Sequence, residues 1–107
     1  MSSTRSPRPL DKKQRARDRY LQRKYGITLA DYDRLFAAHD GGCWICGRKP
    51  KPGRNLHVEH DHKTGRVRGL ACWRCNSGLQ HFRDDAILFR QAADYIESDE
   101  AQTVLCC

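Results

Sequence analysis

The sequence predicts a small α+β fold: a two-stranded hairpin held between two cysteine pairs, with helices before and after it. Three observations carry that expectation. Cys43-x-x-Cys46 and Cys72-x-x-Cys75 are separated by 25 residues. Between them, Leu56 to His60 and Arg66 to Leu70 alternate apolar and polar side chains with the period of a strand. Outside them, apolar residues recur at helical spacing. A length of 107 residues suits one domain.

Residues 1–10 (MSSTRSPRPL) have too few apolar side chains to offset chain entropy and read as disordered. Residues 11–24 are good helix formers without Gly or Pro, with a narrow stripe of Ala16, Tyr20 and Leu21. Gly26 suits the left-handed residue that ends a helix. Thr28 followed by Asp31 matches a capping box, opening a helix to about His39 that should bury Leu29, Tyr32, Leu35 and Phe36. After the hairpin, a helix is expected from Cys72 through Leu79. Asp84 should then cap a last helix over about residues 85–98, with Leu88, Ala92, Tyr95 and Ile96 packed on the domain.

The charge is unevenly spread. Residues 5–24 carry nine Lys/Arg against two Asp, residues 25–83 are net +5, and residues 84–107 are net −5, within a total of +7. A polyanion is the natural partner of such a front, and nucleic acid is the obvious one; a solvated basic arm that only keeps the chain soluble is the bland alternative. No apolar run reaches the ~20 residues of a membrane span, and the basic, Ser/Pro-rich start does not read as a secretory signal. A cytoplasmic protein is expected.

Two Cys-x-x-Cys knuckles converge on one ion and give the closed S4 site of structural zinc, Cys43, Cys46, Cys72 and Cys75. Zinc ligation supplies folding free energy that a thin core lacks. A redox dithiol reading would leave one pair unemployed. Cys106 and Cys107, at the C-terminus, read as idle thiols.

Between the knuckles lies His57-Val58-Glu59-His60-Asp61-His62. Three His and two carboxylates in six residues, pinned at both ends, form the kind of rigid cluster that chemistry requires. Asn76 directly follows the last knuckle cysteine. These residues resemble the ββα-metal (His-Me finger, HNH) nucleases, and most closely the recombination endonuclease VII family of phages, which resolve branched DNA. The resemblance covers about Tyr25 to Glu97. It runs through Tyr25-Gly26-Ile27-Thr28, Gly42-Cys43-Trp44-Ile45-Cys46-Gly47, Leu56 to His62, Thr64 to Leu70, and Cys72-Trp73-Arg74-Cys75-Asn76.

The resemblance implies a zinc-stapled ββα-metal finger flanked by helices: a basic arm at 1–24, an endonuclease VII-like HNH domain at 25–98 and a tail at 99–107. It implies His60 as general base, Glu59 and Asn76 as ligands of a catalytic Mg²⁺ or Mn²⁺, and His62 as a contact to the scissile phosphate or a support of the metal. The family's usual acid at the position of Glu59 is Asp. A further acid that some members carry is replaced here by Leu79. Arg66, Arg68 and Arg74, near the hairpin, and Arg15, Arg19 and Arg23, in the arm, are the expected nucleic-acid contacts. The function expected is a metal-dependent DNA endonuclease acting on branched or nicked duplex, with a homodimer as the form that paired cuts at a junction require. The rival is a zinc-dependent nucleic-acid-binding module without catalysis. Strand alternation sends Glu59 and His60 to opposite faces, so the endonuclease reading requires a twist or bulge between them.

Overall fold

The computed structural model describes residues 9–106, so the expected disorder of the first ten residues and the reading of Cys107 lie largely outside the described residues. The chain runs α1 (Lys12–Tyr25), α2 (Leu29–Ala38), β1 (His57–His60), β2 (Val67–Ala71), α3 (Trp73–His81), α4 (Ala86–Glu97) and α5 (Glu100–Leu105). It is the α+β arrangement that the sequence predicts. Among the described residues no helix is long and apolar enough to cross a membrane.

The helix boundaries follow the local chemistry. Asp11 caps α1 and forms a capping box with Gln14, and Gly26 closes the helix at φ 72°. Thr28 and Asp31 form the second capping box. The Thr28 backbone N–H, and then its hydroxyl, hold the Asp31 carboxyl below the usual carboxylate range. The narrow stripe of α1 buries Leu21 alone. The Asp18 carboxylate accepts from the Leu29 N–H at 2.8 Å and so fixes the entry of α2 against α1.

The core is Leu21, Leu29, Tyr32, Cys43, Leu56, Val58, Leu70 and Ala71. The Tyr32 hydroxyl donates to the Leu56 carbonyl at 2.8 Å, tying α2 to the start of the hairpin. Of the four residues expected to be buried on α2, Leu29 and Tyr32 are, and Leu35 is half-buried. Phe36 is not: its ring lies beside Gly41, where a Cβ would come within 3.0 Å, and stacks toward Tyr32 with centres 6.5 Å apart, yet the side chain stays 36% exposed.

β1 and β2 pair antiparallel, His57 opposite Ala71, Val58 opposite Leu70, Glu59 opposite Gly69 and His60 opposite Val67. Arg68 is therefore the extra residue of a bulge. Trp44 docks the first knuckle on this hairpin. Its backbone N–H donates to the Leu70 carbonyl at 2.9 Å and its indole N–H to the Leu35 carbonyl at 3.1 Å. The indole also stacks on His39 with ring centres 4.4 Å apart. Gly69 makes room for it, since a Cβ there would sit 2.5 Å from the indole.

The C-terminal third departs from expectation. Asp85, not Asp84, caps α4, accepting from the Ile87 N–H at 2.9 Å. The periodic face of α4 is not packed on the domain: Tyr95 is 81% exposed and Ile96 80% exposed. What ties α4 down is Phe89 against Phe82, ring centres 4.9 Å apart. Where a plain tail was expected, α5 forms with Val104 and Leu105 exposed.

Candidate functional site: a cysteine cluster and a bulged hairpin

The four knuckle cysteines come from two turns brought together by the fold. Cys43 and Cys46 lie in the turn after α2, and Cys72 and Cys75 bracket the start of α3. Their sulfurs all lie within 4.8 Å of one another, and those of Cys46 and Cys72 are 3.8 Å apart. A tetrahedral ion with bonds of ~2.3 Å places its sulfurs about 3.8 Å apart, so the cluster fits zinc. Burial pushes the Cys43 thiol up, but backbone N–H groups of Cys46, Cys72 and Ile45 outweigh it and bring its pKa to about 6. Cys75 is pushed to about 12, first by burial and then by hydrogen bonds with the neighbouring sulfurs. Four sulfurs this close cannot all carry charge without a cation among them. These cysteines are positioned to bind a metal ion, and with all donors protein thiols such a site has no open position.

The second cluster is built on the bulge. The irregularity falls between Glu59 and His60, where the sequence reading requires one. Bulges re-aim side chains next to functional sites. Glu59 is 6% exposed. Arg68 Nε donates to its Oε1 at 2.8 Å and Arg68 Nη2 to its Oε2 at 2.5 Å. The same Nη2 donates to Asp84 Oδ1 at 2.6 Å. The two carboxylates hold the guanidinium charge, and raise the Arg68 pKa, Glu59 first and then Asp84. This trio carries a formal charge of −1. Asp84 reaches it from a turn between α3 and α4 with φ 57°.

His60 is half-buried at the end of β1. Its ring centre lies 4.9 Å from that of His62 and 5.7 Å from that of Tyr25. His62 is exposed and lines a small cleft with Asp84, Gln80 and Arg83. Asp61 shapes the turn between the strands: its carboxylate accepts from the backbone N–H groups of Lys63 and Thr64, which hold it below the usual range. Asn76 lies in α3, half-buried, its side chain making no hydrogen bond with another described residue. Leu79, one turn on from Asn76, lines the pocket that holds Glu59 and Arg68, so this face of α3 is turned to the bulge.

The expected cationic contacts divide. Arg68 is committed to Glu59 and Asp84, and Arg15 donates to the Leu10 carbonyl at 2.6 Å. Arg19, Arg23, Arg66 and Arg74 are exposed. Sequence reasoning did not pick out Asp84 or Tyr25 as site residues. Tyr25 had a signal, its place at the head of the Tyr-Gly-Ile-Thr segment. Asp84 had none, because its neighbour Asp85 reads equally well as a cap.

Comparison with known proteins is consistent with this arrangement. Residues 18–98 match the family described as recombination endonuclease VII. The "Gene 59 protein" of Mycobacterium phage D29 is 39% identical over 82 residues, 76% of this chain and 50% of its own. The protein of the same name from Mycobacterium phage L5 is likewise 39% identical over 82 residues. The chain spans about half the length of these curated relatives.

Proposed function

We propose that this chain, which belongs to the recombination endonuclease VII family, is a divalent-metal-dependent DNA endonuclease of the HNH (His-Me finger) type. The observation that carries the reading is the bulge between Glu59 and His60 opposite Arg68. It supports one site for two adjacent strand residues that regular alternation would separate.

Zinc held by Cys43, Cys46, Cys72 and Cys75 is structural. It fixes the first knuckle, the hairpin and α3 to one another. His60 is the general base, histidine being the side chain most often positioned to take a proton from an attacking water. Glu59 and Asn76 are the oxygen ligands of a Mg²⁺ or Mn²⁺, which suits a hard cation that keeps several waters. When bound, that ion supplies charge stabilisation for the phosphate and the leaving oxygen. Arg68 uses one lone pair on each Glu59 oxygen, and a carboxylate offers about four, so Glu59 keeps acceptor capacity while being held in orientation. The trio's charge of −1 also favours a cation beside it. His62, next to His60, contacts the scissile phosphate. Arg66 and Arg74, with Arg15, Arg19 and Arg23 along α1, contact flanking phosphates. DNA in branched or nicked form is the substrate, and the protein acts in the cytoplasm. Paired cuts at a branch use a homodimer, for which the exposed apolar faces of α4 and α5 are the available surface.

One observation favours the non-catalytic module instead: both oxygens of Glu59 already have a partner in Arg68. Single-turnover cleavage across a Mg²⁺ titration separates the readings, with a four-way junction, linear duplex and single strand as substrates and binding assayed in Ca²⁺. His60→Ala should lower the rate by about 10² to 10⁴ with zinc content and affinity unchanged. Glu59→Asp should keep activity. If His60→Ala cleaves at the wild-type rate, the endonuclease mechanism is wrong and the binding module stands.

A further inference from the structure

At the end of β1 away from the acid–His pair, the 48–55 loop and the first turn of α3 enclose a groove of about 390 Å³. Arg48, Lys49, Lys51, Arg54 and Arg74 line it, and among the described residues no carboxylate does. None of the five is ion-paired to another described residue. Trp73 lines the same groove and is 69% exposed. The other indole, Trp44, is accounted for by its docking on the hairpin; that of Trp73 covers no core.

Part of this charge has a local explanation. A zinc ion with four thiolates carries a net charge of −2, and Arg48 and Arg74 also border the cysteine sulfurs. They would offset part of that charge, and Arg74, exposed, still faces the groove. Lys49, Lys51 and Arg54 line the groove without lining the concavity at Cys46, Cys72 and Cys75, and remain as surplus cations beside an exposed indole.

We propose that this groove binds an unpaired stretch of nucleic acid, its phosphates on Lys49, Lys51 and Arg54 and one base stacked on Trp73. The inference rests on the nucleic-acid reading above and adds a site and a strand state to it. Cations alone would fit the phosphates of any duplex. The indole selects further, because bases within a duplex cover one another's faces and only a splayed base offers its own. The groove and the acid–His pair are joined by β1, whose His57 lines the groove and whose His60 lies three residues on, about 10 Å away. One strand is able to lie across both, so DNA with unpaired segments beside the cleavage point would be held better than plain duplex.

The test uses the zinc-loaded full chain in Ca²⁺, with a short oligothymidylate and a duplex of equal length as probes, followed by tryptophan quenching and fluorescence anisotropy. Trp73→Ala should weaken oligothymidylate binding by about 5- to 150-fold and abolish most of the quenching, with a much smaller effect on duplex. Trp73→Phe should retain most of the affinity. The triple variant Lys49→Ala, Lys51→Ala, Arg54→Ala should flatten the salt dependence on single strand by about 0.7 log units for each phosphate that is no longer neutralised. Zinc content reports whether each variant is folded; should Trp73→Ala fail that check, Trp73→Phe and the wild-type quenching decide. Equal losses on both probes, or wild-type binding by Trp73→Ala, would overturn the proposal. Because no readout depends on cleavage, its failure is distinct from a failure of the His60 experiment.

Discussion

The hairpin and the C-terminal helices use similar amounts of patterned sequence to very different ends. In the hairpin both carboxylates are held, and a small residue sits where a large one presses: Glu59 on Arg68, Asp61 on its own turn, Gly69 beneath Trp44. α4 carries apolar periodicity too, yet Tyr95, Ile96, Val104 and Leu105 are each at least 75% exposed. Hydrophobic spacing specifies a helix and its face. It does not specify that the face is covered within the same chain.

The hardest way to break the first region is through its cysteine cluster. Structural zinc sites in small domains contribute about 10–16 kcal/mol of apparent binding free energy, as large as the ~5–15 kcal/mol that separates folded from unfolded domains. Cys43→Ser or Cys75→Ser should therefore give unfolded or insoluble protein. Circular dichroism and thermal melting check this, and a soluble Cys75→Ser protein with native melting would remove zinc from the account of stability.

Next in size is the ion trio. Arg68→Ala leaves the Glu59 carboxylate buried without its partner, a change that costs about 3–5 kcal/mol at fully buried sites. Arg68 is 31% exposed, so the low end, about 3 kcal/mol, is expected. Adding Glu59→Gln should recover part of the loss, because the stranded charge is then gone. Denaturant titration of the single and double variants measures both. No recovery in the double variant would mean that Arg68 stabilises by packing its stem.

Gly69→Ala is subtler. The new methyl would meet an indole fixed by its hydrogen bond to Leu35 and its stack on His39. Overpacking of this kind costs about 1–3 kcal/mol, read as a lower melting temperature at unchanged zinc content. A shift near zero would show that Trp44 is able to slide, and that the knuckle is less firmly docked than its hydrogen bonds indicate.

These sites also mark how much of the fold is legible in the sequence. The Thr28–Asp31 capping box, the left-handed Gly26, the knuckles and both strands are short-range features, and the structure has them within a residue or two. The bulge is legible as a requirement, since adjacent residues on a strand cannot otherwise share a site. Its consequences are not. Which residue is extra depends on register, and register makes Arg68 the partner of Glu59 where alternation suggests an outward phosphate contact. Asp84 and Asp85 are equivalent as cap residues in sequence. Only the turn that brings Asp84 to Arg68, 16 residues earlier in the chain, tells them apart. The roles proposed for His60, Asn76 and a divalent cation rest on resemblance and chemistry.

The smallest effect bears on the second region and decides what its apolar face is for. Ile96→Lys replaces a side chain that is 80% exposed, so the monomer should lose no more than about 0.5 kcal/mol, as for surface changes generally. Phe89→Ala should lose more, because Phe89 packs on Phe82 and is the tie that holds α4 to the domain. If the α4–α5 face joins two copies, Ile96→Lys should instead shift the monomer–dimer equilibrium, seen by sedimentation over a range of concentrations, while Phe89→Ala acts on melting. A destabilisation by Ile96→Lys larger than that by Phe89→Ala, in protein that is monomeric throughout, would show that the helix folds its periodic face onto its own domain in solution. The contrast between the two regions would then disappear.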